Sequence, residues 1–337
     1  MAGVEAAGSA GMGTALVVGV DAGATSTRCV VATVDGAIVG RGVAGGANRN
    51  SSGGDLTTTL ATALEQALEG TPRPSVLLGV FGAAGSSGAG RAAVRVAAAN
   101  AWRAAGLTGE PVTVTDLEVA FAAGTTSPDG VLLLSGTGAL AARFAGGRLE
   151  HRCDGYGWLL GDEGSAVWMG VRGLRAALAA LDGRGVPTVL VDAARTHFGI
   201  GSGRAEDTAQ ALIAAAFAVP PAALGGFAPA VSAGAEADDP VAVRICHTAT
   251  GRLLHTFDSV GPPPGAVVVL AGSVLLTPGP VRRMVRAAVA ARTGAEPRVG
   301  SDGAAGAAVL AVARLTGTPV APVTHARLTG SHGLSRE

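Results

Sequence analysis

The chain has 337 residues, 48% of them hydrophobic, and its 25 basic and 25 acidic residues cancel. One hydrophobic core serves about 250 to 300 residues at most, so two domains are expected, and a neutral balance gives nucleic acid or an anionic membrane no general field to follow. Every basic residue is arginine, which excludes a P-loop lysine, a Schiff base and a lysine general base.

From the N-terminus, residues 1–13 carry neither a basic n-region nor an apolar core of signal-peptide length and read as disordered. Leu16 to Val20, Arg28 to Val34 and Ala37 to Val43 read as strands. The first two are joined as a tight hairpin through Asp21-Ala22-Gly23-Ala24-Thr25-Ser26-Thr27, the last two through Asp35-Gly36. A helix over Leu56 to Leu68, a strand over Val76 to Phe81, a helix over Ala89 to Ala105, a strand over Val112 to Val114 and a helix over Leu117 to Ala123 follow. The pattern then begins again. Val131 to Leu134, Ala139 to Phe144 and Arg148 to Arg152 are strands, the first two joined by Ser135-Gly136-Thr137-Gly138, an echo that points to a duplicated fold. Helices are expected over Gly164 to Leu181, Val189 to His197, Asp207 to Phe217 and Pro229 to Phe257, with a break near Asp239-Pro240. Ala266 to Leu270 is a strand, Leu275 to Ala291 and Asp302 to Leu315 are helices, and the Pro- and His-containing tail after Thr318 reads as disordered.

With lysine absent, phosphate must be held by backbone amides, hydroxyls, arginine or a metal ion. Gly23, Thr25 and Thr27 can present amide and hydroxyl donors to a phosphate, and Asp21 at a strand end can hold hydrated magnesium. Gly136, Thr137 and Gly138 offer a second set of the same type, and Gly272-Ser273 joins a strand to a helix where a nucleotide can pack against backbone. Alone, the first loop reads first as an ordinary hairpin and the third as a plain strand-to-helix turn, and it is the recurrence of two such loops in register that favours phosphate binding. Asp116 follows a strand directly and reads as a helix N-cap, a role that does not exclude a functional one. In DGYGWLLGDEGSAVWMG, which begins at Asp154, Asp162 and Glu163 are suited to accept sugar hydroxyls, and Asp162 is equally a cap for the helix that follows. Asn48 lies in a loop after the third strand, where a turn role is also open.

Taken together, VGVDAGATSTR, TDLEVA, LSGTGA, GDEGS, LAGSV and DGAAGAA resemble the N-acetylglucosamine kinase family. That family falls among the BadF/BadG/BcrA/BcrD-type ATPases and the wider sugar kinase, Hsp70 and actin group. The resemblance runs from about Val17 to Ala313. It implies an α/β protein of duplicated ribonuclease-H-like, actin-like ATPase fold, with ATP in a cleft between two domains. It implies that Asp116 is the catalytic base, that Asn48, Asp116, Gly155, Tyr156, Gly157 and Asp162 contact the sugar, and that Asp21 serves Mg2+. It also assigns Gly23, Thr25, Thr27, Gly136, Thr137, Gly138, Gly272 and Ser273 to ATP. Tyr156 stands where the family often has tryptophan, and Ala139 where some members have serine.

The expected domains are residues 14–122, completed by roughly 306–318, and residues 123–305, with 319–337 as tail. The expected activity is ATP-dependent phosphorylation of N-acetylglucosamine at its 6-hydroxyl by a cytoplasmic homodimer, with no nucleic acid or membrane partner. Glucosamine or another sugar is the alternative acceptor. An activator ATPase of the 2-hydroxyacyl-CoA dehydratase or benzoyl-CoA reductase type is the alternative function, although Cys29, Cys153 and Cys246 present no paired ligand set for a cluster.

Overall fold

Alternating Val, Leu and small residues build two five-stranded sheets, as seen in a computed structural model that describes residues 15–23, 25–46, 55–83 and 90–330. Asn48 and the N-terminal stretch 1–13 lie outside the described residues. The chain divides into two compact units, residues 1–126 with 300–337, and residues 127–299.

In the first unit, β1 (Leu16–Ala22), β2 (Ser26–Thr33) and β3 (Ile38–Gly45) form the expected antiparallel meander, and β4 (Val76–Ala83) and β5 (Val112–Thr115) add in parallel to give the order β3-β2-β1-β4-β5. Period-two alternation divides β1 between two cores. Val18, Val20 and Ala22 join Cys29, Val31, Leu60 and Leu64 on one face, whereas Val17 joins Val30, Ala32, Ala304 and Ala308 on the other. Helices α1 (Leu56–Ala67) and α2 (Arg91–Ala104) cover the first face, and α3 (Asp116–Gly124) contributes Val119 and Ala122 to the second.

The second unit repeats the topology. β6 (Gly130–Ser135), β7 (Ala139–Ala145) and β8 (Arg148–Asp154) form the meander, and β9 (Val268–Ala271) pairs in parallel with β6. With β10 (Arg298–Gly300) the order is β10-β9-β6-β7-β8, strand for strand that of the first unit. β10 escapes sequence reading because three residues are too short to show a period. Between β8 and β9 run α4 (Ala166–Leu181), α5 (Leu190–Phe198), α6 (Ala205–Phe217), α7 (Ala228–Glu236) and α8 (Pro240–Ser259). Asp239 separates the last two, its carboxylate accepting from the amides of Val241 and Ala242 at 3.1 and 2.9 Å.

Three expectations require correction. The helix expected over Leu275 to Ala291 is two, α9 (Ser273–Leu276) and α10 (Pro280–Thr293), because Pro278 and Pro280 cannot continue the first one. The helix expected from Gly164 begins at Ala166 with Ser165 as its cap. The tail read as disordered after Thr318 carries α12 (Pro322–Thr329), which packs on α11 (Gly303–Thr316) and is pinned by a 2.9 Å contact from His325 Nε2 to the Ala122 carbonyl. Pro322 at the first helical position is the start signal that the composition concealed.

Candidate active site

In the first unit the carboxyl ends of parallel strands carry the acidic groups. Asp21 is near the end of β1, and Asp116 directly follows β5. Asp21 pairs across β2 with Arg28, so both face the side covered by α11. That helix is a run of small residues, and the run is why it can lie so close: a Cβ on Gly19 would fall on the backbone of Ala304 and Ala308, and one on Gly303 would fall inside the Asp21 carboxylate. Asp302 caps α11 by accepting from Ala305 N at 3.1 Å, and Arg41 Nη1 bonds its other oxygen at 3.1 Å. Asp21 keeps only part of its surface open among these neighbours. Burial, then the charge of Asp116, with a smaller contribution from Asp302, pushes its carboxyl up to about 7 against an opposing pull from Arg28.

The open question over Asp116 has a local answer. The N-cap of α3 is Thr115, whose hydroxyl accepts from Glu118 N at 3.2 Å while Glu118 Oε2 accepts from Thr115 N at 2.7 Å, a complete capping box. Asp116 therefore sits in the first turn, half-buried and within electrostatic range of Asp21, and does not cap the helix.

The β1–β2 turn closes with Gly23 N donating to Ser26 O at 3.0 Å, and Thr25 is exposed. Thr27 is not brought to the same place. It pairs with Ala22, so it faces α1 and not α11, and its hydroxyl is fully buried with no hydrogen-bond partner.

In the second unit three segments are sewn together. Gly272 has φ +86°, and a Cβ there would lie 2.7 Å from Gly136 N, so the turn after β9 rests on the turn after β6. Ser135 Oγ donates to Gly164 O at 2.9 Å, and Ala166 N donates to Gly136 O at 2.8 Å, which fixes GDEGS to the same turn. Asp162 faces it as well: Ala139 N donates to its Oδ1 at 3.3 Å, and a Cβ on Gly138 would lie 3.0 Å from its Oδ2. Burial raises the Asp162 carboxyl above its ordinary value, with Asp154 adding to the rise, while amide donors from Ala139 and Gly157 and the charge of Arg152 oppose it. Gly136, Thr137, Gly138, Gly272, Ser273 and Asp162 thus share one neighbourhood.

Asp154 organises the loop and was not singled out from the sequence. Its carboxylate accepts from the amides of Gly155 and Asp162 at 2.7 Å each and from Glu163 N at 2.9 Å. A Cβ on Gly161 would strike that carboxylate, so the glycine is required. Asp154 and Asp162 adopt φ +63° and +55°, two of three non-glycine residues with positive φ among those described. Such strain persists only where the surroundings over-determine it, and it collects at binding sites. Gly155 lies against Leu140, whereas Tyr156 and Gly157 face solvent, Tyr156 at 64% exposure.

The first unit fits a hard divalent cation in its donor chemistry: oxygen donors whose mutual repulsion such an ion relieves. Among the described residues no three of His, Cys, Asp and Glu form a complete cage.

Residues 18–311 match the BadF/BadG/BcrA/BcrD ATPase family. A stretch of 177 residues is 31% identical to the N-acetylmuramic acid/N-acetylglucosamine kinase of Clostridium acetobutylicum, covering 52% of this chain and 57% of that protein, so the match spans little more than half the relative's length. Among solved structures, a candidate N-acetylglucosamine kinase from Chromobacterium violaceum superposes with a TM-score of 0.69 at 22% identity, covering 88% of this chain and 98% of that one. Another from Porphyromonas gingivalis gives 0.64 at 22% identity, covering 85% and 93%. A ROK family glucokinase from Streptomyces griseus, in complex with glucose and AMPPNP, gives 0.52 at 18%, covering 88% and 99%. These likenesses carry the duplicated ribonuclease-H-like fold. No described helix is long and apolar enough to cross a membrane.

Proposed function

The chain belongs to the BadF/BadG/BcrA/BcrD ATPase family, and on that premise we propose that it is an ATP-dependent amino-sugar kinase. N-acetylglucosamine is the first acceptor, and the γ-phosphoryl group passes to its 6-hydroxyl to give N-acetylglucosamine 6-phosphate and ADP. The name of the Clostridium acetobutylicum relative supports the substrate class. The observation that carries the reading is the pair of carboxylates, Asp21 and Asp116, at the carboxyl ends of strands in one parallel set, where α/β sheets bind ligands.

Asp116 accepts the 6-hydroxyl proton as phosphoryl transfer proceeds through a loose transition state, and its contribution is position more than basicity. Asp21 would hold magnesium, whose positive charge would offset the charge developing in phosphoryl transfer. Backbone amides and hydroxyls around Gly23, Thr25, Gly136, Thr137 and Gly138 hold the phosphates in the absence of lysine. Gly272 and Ser273 receive the nucleoside. Asp162, positioned by Asp154 and Ala139 N, accepts from the sugar hydroxyls, with Gly155, Tyr156 and Gly157 beside it. Thr27 supports the turn from within the core, its hydroxyl being buried on the opposite face from Asp21.

The test is product analysis by 31P NMR after incubation with Mg-ATP and N-acetylglucosamine. A sugar 6-phosphate signal formed in step with ADP is expected. ADP formed together with inorganic phosphate, and no phosphosugar, contradicts the reading.

A further inference from the structure

In a chain without lysine, the permanent side-chain cations that can meet a phosphate are arginines. Arg28 stands on β2, just past the turn that Gly23 N closes onto Ser26 O at 3.0 Å. The register of the hairpin sets it directly opposite Asp21, which brings the two Cβ atoms within about 4.5 to 5.5 Å of each other. Its parity with Val30 and Ala32 turns it to the face covered by α11, yet Arg28 is exposed where those two are buried. An aspartate and an arginine in this relation ordinarily pair across the ladder. Here Asp21 is drawn against α11, where a Cβ on Gly303 would fall on its carboxylate, and the Arg28 guanidinium makes no hydrogen bond or ion pair among the described residues. Arg41, opposite Val30 on β3, is by contrast committed to Asp302 at 3.1 Å.

An exposed guanidinium beside a phosphate turn presents two parallel N–H donors that match two oxygens of one phosphoryl group. The reacting end of ATP must come to Asp116, which accepts the acceptor's proton and lies within electrostatic range of Asp21. The group opposite Asp21 on the same face therefore meets that end of the nucleotide. Resting on the kinase reading above, we infer that Arg28 binds the terminal phosphoryl group of ATP and offsets the charge that spreads over its oxygens during transfer. In that step the sugar oxygen bonds to phosphorus, the bond from phosphorus to the ADP oxygen breaks, and the hydroxyl proton goes to Asp116. Arg28 keeps its protons throughout and supplies only charge and orientation.

The experiment measures by calorimetry, with magnesium present, the affinities of wild type, Arg28→Gln and Arg28→Lys for ADP and for the non-hydrolysable triphosphate analogue AMPPNP, with thermal unfolding as a check on folding. Arg28→Gln is expected to bind AMPPNP about ten-fold or more weakly, as befits loss of charge-assisted hydrogen bonds, and ADP within about two-fold of wild type. Arg28→Lys should recover part of the loss, because it restores a charge but not the two-pronged donor. Should Arg28→Gln fail to fold, Arg28→Lys carries the same comparison, with a smaller loss confined to AMPPNP. In steady-state assays of Arg28→Gln, kcat should fall while KM for N-acetylglucosamine is unchanged. Equal losses for ADP and AMPPNP would mean that Arg28 acts only through Asp21 and its metal ion. That result, or no loss for either nucleotide, overturns the phosphoryl contact while leaving the kinase intact. A wild type that binds neither nucleotide removes the kinase reading and the contact with it.

Discussion

Replacing Asp21 by Asn should make the protein more stable and less active. In the folded protein the carboxyl titrates at about 7 rather than at its ordinary 3.8, mainly because of burial and then Asp116. In the unfolded chain it is ionised above pH 4 or so. Below that pH both states hold the proton and the group costs nothing. As pH rises towards 7 the unfolded chain has already lost its proton while the folded protein retains it, so stability falls, and above about 7 the full cost of a buried anion is present. The gap between 3.8 and about 7 corresponds to about 4 kcal/mol. Solvent at the open edge of the group reduces that figure, and about 2 to 4 kcal/mol is the range to expect. Asn does not titrate. Urea unfolding of both proteins without nucleotide should therefore show the Asn variant ahead at pH 8, by about 2 to 3 kcal/mol more than at pH 5. Turnover should fall at least about 10²-fold if the carboxylate holds the metal ion. A stability difference independent of pH, or an Asn variant less stable at pH 8, refutes the argument.

Asp116→Asn keeps the Thr115–Glu118 capping box and removes a charge that disfavours the Asp21 anion, so the variant should fold at least as stably as wild type while kcat drops about 10²- to 10⁴-fold, with sugar and ATP binding retained by calorimetry. Near-normal turnover would remove Asp116 as the base. Gly272→Ala forces a side chain into a left-handed backbone and against Ser135 and Gly136, so a loss of about 1 to 3 kcal/mol and a raised KM for ATP are expected from denaturation and steady-state kinetics. Asp154→Ala strips the acceptor from three amides, so about 2 to 4 kcal/mol of stability should go, with faster hydrogen exchange at Asp162 and Glu163 and a raised KM for the sugar. Unchanged exchange at those amides would show that Asp154 does not organise the loop.

Much of the architecture is legible because its signals are local. The alternation of β1 through β3 and its recurrence in β6 through β8 are set by turn residues and period, and the parallel pairings then complete two sheets of one order. What escapes depends on tertiary choice. Thr25 and Thr27 look interchangeable in a turn, yet the strand's parity sends Thr27 into the core beneath α1, a face fixed only when that helix docks. Asp116 and Thr115 are both good caps, and Glu118 decides between them by completing the box. Asp154 and Asp302 each precede a glycine in the sequence, the visible sign of a tight approach, but their partners are eight residues away in one case and on β3 in the other.

The most direct measurement is ADP release, coupled to a spectrophotometric readout, with N-acetylglucosamine, glucosamine, N-acetylmannosamine and glucose each offered in turn alongside Mg-ATP. ADP release that depends on sugar, is greatest with N-acetylglucosamine and disappears in Asp116→Asn is the predicted result. Release at one rate whether or not a sugar is present, or none with any of the four, would contradict the account.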